Sequence, residues 1–184
     1  MFALLLATLL TTAPGTPEGI GLLHGRNHAF SFQAPPGWVL DNQSGLDIGL
    51  HAVFYPVGQT WRDSPVMAYA KVFTITPEVA TPEALVADTL ADFRPDSPLI
   101  TATFKKSLTL ADGRSASLYH FTGDKFGNYE AVAYIKERVT INFFVLSSRD
   151  KKHFTSSLTA FEALVRSYRF VSEHVEYSDS AHPQ

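Results

Sequence analysis

One stretch constrains this chain more than any other: Asn128 to Arg149, reading NYEAVAYIKERVTINFFVLSSR. Val, Ile, Tyr, Phe and Thr dominate it, and these residue types fit a pleated surface. Lys136-Glu137-Arg138 is the charged break in its middle, which predicts a hairpin that turns there. A two-residue loop at Glu137-Arg138 pairs Lys136 with Val139, Tyr134 with Ile141 and Val132 with Phe143. A four-residue loop about the same centre keeps that register. One face then carries Val132, Tyr134, Ile141, Phe143 and Val145. The other carries Ala131, Ala133, Ile135, Asn142, Phe144 and Leu146. An antiparallel pair with one wet face alternates apolar and polar. Both faces here are apolar, so both are expected to be covered. The small Ala131 and Ala133 would let a helix approach closely. Glu-Arg lacks the Gly or Asn that primed turns favour, so the pattern specifies the pairing better than the turn type.

The rest of the chain supplies the covers. His28 to Pro35 alternates Phe30 and Phe32 against Ser31 and Gln33, a half-buried strand stopped by Pro35-Pro36-Gly37. Trp38 to Leu40 reads as a second strand and Gly49 to Tyr55 as a third. Val66 to Thr76, apolar on both faces, reads as a long strand beside the central hairpin. Thr81-Pro82-Glu83 opens a helix with an N-cap, a proline at the first helical position and an acid in the first turn. Its apolar stripe is Leu85, Val86, Leu90 and Phe93, and Arg94-Pro95 ends it. Thr101 to Leu110 and Arg114 to Thr122 form a second hairpin about Asp112-Gly113. That pairing puts Phe104, Leu108, Leu110, Tyr119 and Phe121 on one face, and Lys105, Ser107, Thr109 and His120 on a wet one. From Asp150, Phe154, Leu158, Phe161, Leu164, Val165 and Tyr168 recur at helical spacing. Tyr168 to Val171 adds a short extended end. Hairpin connections dominate, so the expected fold is α+β, a mostly antiparallel central sheet with helices on both faces.

Composition narrows the function. The 184 residues suffice for one domain with a proper core. At 45% hydrophobic and 18% charged, the chain has a globular composition. A net charge of −3, without a basic cluster larger than Lys105-Lys106 or Lys151-Lys152, gives nucleic-acid binding no electrostatic support. The absence of cysteine removes disulfides, thiol catalysis and Cys-based zinc sites. Near the N-terminus an apolar run of about nine residues, Phe2 to Leu10, is followed by small residues. It is too short to span a bilayer and fits the core of a signal peptide, although no Lys or Arg precedes it. The expected division is residues 1–20 as signal peptide and lead-in, 21–171 as one domain, and 172–184 as a polar tail. The expected location is periplasmic or extracellular.

No catalytic or metal signature appears. The histidines His24, His28, His51, His120, His153, His174 and His182 form no His-Glu-x-x-His motif and no tight pair of the zinc type. His24 and His28 are separated by Gly25 and Asn27, which argues against one helix presenting both. No Gly-x-Ser-x-Gly elbow exists, and Ser64 sits in a loop before Pro65. Glu78, Glu83 and Asp88 read as helix-end and solvated residues rather than a glycosidase pair. No cofactor is implied. Trp61, Arg62 and Asp63 in a loop, with Lys105 and His120 on the wet hairpin face, are the candidate partner-binding residues, because aromatic and Arg side chains are enriched at binding hot spots.

The element order over residues 28–171 resembles the PsbP-like fold. So do Phe32 to Trp38 (FQAPPGW), the loop Trp61-Arg62-Asp63-Ser64-Pro65 leading into Val66-Met67-Ala68-Tyr69, the double strand 131–146 and the ending Phe161 to Val171. In style the chain is most similar to exported bacterial members of the DcrB type. The resemblance implies a layered sandwich and a non-enzymatic binding or assembly role, and it transfers no functional residue. The expectation is an exported module that binds a protein partner or supports envelope assembly. The alternatives are a small-ligand carrier, with a cleft between sheet and helices lined by Tyr69, Tyr134 or Trp61, and a hydrolase that could be probed at Ser64 and His120.

Overall fold

The computed structural model describes residues 19–175. The apolar run before them, and the polar end from 176 onward, lie outside the described residues. Ten strands and two helices follow in the order β1 (Ile20–Gly25), β2 (His28–Gln33), β3 (Trp38–Asp41), β4 (Val53–Pro56), β5 (Met67–Thr74), α1 (Pro82–Phe93), β6 (Thr101–Thr109), β7 (Ser115–Thr122), β8 (Tyr129–Lys136), β9 (Thr140–Ser148), α2 (Lys151–Arg166) and β10 (Arg169–Ser172). Seven strands form one antiparallel sheet in the order β3-β4-β5-β9-β8-β7-β6. The expected hairpin is β8-β9, at the centre of that sheet, with β5 beside it. The α+β architecture and the antiparallel central sheet are as expected.

The two apolar faces of the hairpin are buried by different partners. Ala131, Ala133, Ile135, Phe144 and Leu146 join Phe154, Phe161, Leu164 and Val165 of α2 in the main core. Phe30 and Phe32 reach the same core from a second sheet of three strands, β1-β2-β10. Phe30 and Tyr168 lie 5.1 Å apart between ring centroids, and Phe32 meets Phe54 edge-on at 5.4 Å, favourable aromatic geometries. On the opposite face Val132, Tyr134, Ile141 and Val145 pack with Leu85 and Val86 of α1. Both helices are capped as their sequences require: Ala84 N–H donates to Thr81 Oγ1 at 3.1 Å, and His153 N–H to Asp150 Oδ1 at 2.8 Å.

Four features differ from the sequence expectation. The central turn falls one residue later, so Tyr134 faces Phe143 and Val132 faces Val145. Glu137 N–H donates to Thr140 O at 2.8 Å, which leaves Arg138-Val139 as the loop. Glu137 is drawn inward because its Oε1 accepts from Tyr168 Oη at 2.7 Å and from Arg114 at 3.2 Å. The pairing moves by two residues, an even number, so every side chain keeps its expected face.

In the second hairpin, the ladder shifts between Phe104 and Lys106. Leu110 N–H donates to Arg114 O at 2.9 Å, so the turn holds three residues and the pairing moves by one, placing Leu108 opposite Ala116. The bulge at Lys105 then turns Phe104 to the side of Tyr119. Leu108 and Leu110 enter the main core, whereas Tyr119 and Phe121 pack on the α1 side. Residues 49–55 are not one strand. Leu46–Ile48 form a 3-10 turn closed by Gly49 at φ +73°, and β4 begins only at Val53. A strand not expected from the sequence, β1, starts at Ile20 and pairs with β2 outside the large sheet. At the other end β10 runs to Ser172, and Glu173 forms an ion pair with Arg138 at 2.7 Å.

Candidate functional site

Helix α1 covers its face of the sheet incompletely. Only Pro82, Leu85 and Val86 of its residues are buried. Phe93, expected in the apolar stripe, is 48% exposed. Between α1 and the sheet a cleft of about 370 Å³ remains open, within the size range of ligand pockets. Tyr69, Val132, Tyr134, Phe143 and Val145 form its floor, Leu85, Thr89 and Phe93 its roof, and Asp124, Phe126 and Asn128 one end.

The end wall is fixed by local geometry. Gly123 adopts φ +86°, and a Cβ there would lie 2.2 Å from the Leu99 carbonyl oxygen, so only glycine lets the loop approach. Lys125 N–H donates to Ser97 Oγ at 2.9 Å, tying the loop to the segment after α1. Asp124 then accepts from Asn128 N–H and Asn128 Nδ2, each at 2.7 Å. At the mouth Phe93 and Phe126 are 48% and 56% exposed, two large apolar side chains left open to solvent.

Two charged residues stand out on the floor. Glu130 is half-buried on β8, opposite Ser147 on β9 and Phe121 on β7. Burial pushes its carboxyl above the usual carboxylate range; the Ser147 hydrogen bond opposes this, nearby Asp124 adds to it, and Lys71 opposes it. Lys71 is exposed on β5, with Nζ 5.9 Å from the centre of the Tyr69 ring. The phenols of Tyr69 and Tyr134 are raised well above their ordinary value, chiefly by burial and secondarily by Glu130. Glu130 and Lys71 were legible in principle, as lone charges within the apolar strands YEAVAYI and MAYAKVFT. Nothing in strand periodicity said that they share a cleft.

A second hollow, of about 550 Å³, lies between the Pro35–Trp38 turn, Val57 and α2. No charged side chain lines it, and Gln33 and Ser167 at its edge hydrogen-bond each other.

The five candidate partner-binding residues fall at two separate places. Trp61 is half-buried against Leu50, Val53 and Tyr55, beside the β3-β4 edge. Arg62 and Asp63 next to it are exposed, and Asp63 closes a turn by accepting from Thr60 Oγ1 at 2.7 Å. Lys105 and His120 belong to β6 and β7 at the other edge. His120 does not face Lys105 across the ladder; it pairs with Thr103, because the three-residue turn and the bulge at Lys105 each move the pairing by one residue. Its ring is half-buried, edge-on to Phe154 at 5.3 Å. Burial first, and Lys105 second, lower its pKa, while Glu162 opposes them. The solvated histidine expected from sequence is therefore a packed one.

Nor do Ser64 and His120 combine. His120 pairs with Ala131, Ala131 with Leu146, and Leu146 with Ala68, three inter-strand steps of roughly 4.8 Å each. Ser64 precedes that last strand and donates its hydroxyl hydrogen to the Val66 carbonyl. Among the described residues, no group of three or more His, Cys, Asp or Glu side chains could hold a metal ion.

The fold is PsbP-like. The solution structure of cyanobacterial PsbP (CyanoP) from Synechocystis sp. PCC 6803 matches with a TM-score of 0.53 and 15% identity, covering 89% of this chain and 99% of that one. LpqN, described as involved in cell envelope biogenesis of Mycobacterium tuberculosis, matches with a TM-score of 0.51 and 13% identity, covering 82% of this chain and 90% of LpqN. The Saccharomyces cerevisiae Ran-binding protein Mog1p gives a TM-score of 0.47 and 12% identity, over 78% of this chain and 90% of Mog1p. No family model matches the sequence, and no curated protein matches it.

Proposed function

We propose that this chain is an exported, non-enzymatic binding module whose ligand occupies the cleft between α1 and the seven-stranded sheet. One observation carries the reading: an apolar opening of about 370 Å³ with Glu130, Lys71, Asp124 and Asn128 converging on it. Apolar walls with a few placed polar groups are the usual composition of a small-molecule site. Tyr69 and Tyr134 line this cleft as the carrier alternative requires, while Trp61 belongs to another cluster. Export is supported by the signal-like run Phe2 to Leu10 and by the envelope role in the description of LpqN. No helix among the described residues is long and apolar enough to cross a membrane.

An NMR screen of small aromatic and aliphatic fragments tests the site. Hits should shift the backbone amides of Tyr69, Glu130 and Tyr134; hits that map elsewhere, or none, would remove the reading. A fusion reporter tests export, and a cytosolic, uncleaved product would contradict it. Docking of a protein partner is a second reading, favoured by the exposed Arg62 beside the anchored Trp61. It requires a crosslinked adduct that Arg62→Glu abolishes.

A further inference from the structure

We infer that the cleft selects small organic cations with an apolar body, the ammonium group lying toward Glu130 and Asp124 and the body among the aromatic rings. This deepens the reading of the cleft as the binding site and rests on it. Charge is the first argument. Asp124 and Glu130 are the two carboxylates in the lining and Lys71 is its single cation, so the lining carries an excess negative charge. Lys71 cannot neutralise both, and being exposed, it leaves solvent or a ligand room beside Tyr69. Lys125 at the rim is already engaged, with Asp96 at 2.6 Å and over the Phe126 ring at 5.3 Å. An entering anion would therefore meet two carboxylates and one exposed lysine.

The walls give the second argument. Tyr69, Tyr134, Phe121 and Phe143 present rings to the same space, and ring faces attract cations, the more so where water is excluded. The state of Glu130 gives the third. A half-buried carboxylate pushed upward by burial and by a like-charged neighbour gains from a cation placed beside it. The groups that face it are Asp124, Lys71, the Ser147 hydroxyl and the phenols of Tyr69 and Tyr134. The exposed Phe93 and Phe126 at the mouth let the apolar body continue beyond the cleft.

Three probes of similar shape separate the possibilities: 2-phenylethylamine, 2-phenylethanol and 3-phenylpropionate, titrated calorimetrically into the unmodified protein near neutral pH. The amine should bind about ten-fold or more tightly than the alcohol, and the propionate weakest. Glu130→Gln should bring the amine down to the level of the alcohol and leave the alcohol unchanged. In the unmodified protein the advantage of the amine should shrink as pH falls and Glu130 takes up a proton. Propionate binding tightest, or amine and alcohol binding equally, would overturn the cation assignment while leaving the cleft a binding site. Failure of all three to bind would overturn both.

Discussion

Asp41 shows how much a single carboxylate can organise. Its Oδ1 accepts from Gln43 and Ser44 N–H at 2.8 and 2.9 Å, and its Oδ2 from Tyr55 Oη at 2.8 Å and from the Ser44 hydroxyl. Slight burial raises its pKa, but these donors outweigh that and bring it down to about 2. A depressed folded pKa means that the unfolded chain takes up the proton first. The stabilisation is therefore present above the ordinary Asp range and lost as pH falls toward about 2. Asp41→Asn should cost roughly 1 kcal/mol at neutral pH, near the low end for a charged acceptor that is partly in water. Urea unfolding between those pH values should show a flattened acid limb in the variant.

Glu130 has the opposite sign, since its folded pKa is raised. The folded state holds the proton more firmly, so stability declines as pH rises through the carboxylate range. Glu130→Gln should abolish that decline and make the ligand-free protein more stable at neutral pH, as expected of a residue retained for binding rather than for folding. Tyr168 sits deeper still. It is fully buried, donates to Glu137 at 2.7 Å and accepts from Asn142 Nδ2 at 2.9 Å, while Asn142 Oδ1 has no partner. Tyr168→Phe strands a buried amide and should cost about 1–3 kcal/mol. Replacing both residues, as Asn142→Val with Tyr168→Phe, should recover much of that loss, because no donor is then left unpaired. Chemical denaturation of the single and double variants measures the coupling.

Among the elements, β8-β9 and α2 form the rigid part. Ala131 and Ala133 are fully buried beneath α2. Ala133→Leu should cost about 1–3 kcal/mol by overpacking, read from the denaturation midpoint. Helix α1 is the contrast: its buried residues lie in its first half, whereas α2 buries Phe154, Ser157, Phe161, Leu164 and Val165 along its length. Amides in the second half of α1 should exchange with deuterium well before those of α2 or β9. Equal protection would mean that the cleft is closed more firmly than its geometry indicates.

The same contrast explains what was legible in the sequence. Periodicity specified both helices, β5 and the two faces of β8-β9, although it did not show that α1 is buried only in its first half. It failed where one residue changes the geometry. The three-residue turn at 111–113 moves the β6-β7 pairing by one residue and the bulge at Lys105 moves it again, which divides the apolar side chains between two cores; an alternating pattern carries no mark of either. The turn at Arg138-Val139 depends on a buried tyrosine from after α2. Strand β1 is short and glycine-bounded, with Ile20 and Leu22 exposed, so it offers little alternation to read. The cleft needs five separated segments to meet, and only Tyr69 and Tyr134 were foreseen in it.

At the scale of the whole molecule, the seven-stranded sheet is asymmetric. One face is sealed by α2 and the three-stranded sheet, which share the main core. The other is half-covered by α1, and there the charged floor and the exposed aromatic rim converge. A PsbP-like fold alone does not require this opening to bind anything; its chemistry is what makes it a site. The most direct test is native mass spectrometry of the protein purified from its own host, beside Thr89→Trp, which fills the cleft from α1. The expected result is an added mass that survives gentle ionisation, disappears on unfolding and is missing from the filled variant. A bare mass for both proteins, or an adduct unchanged by the substitution, would contradict it.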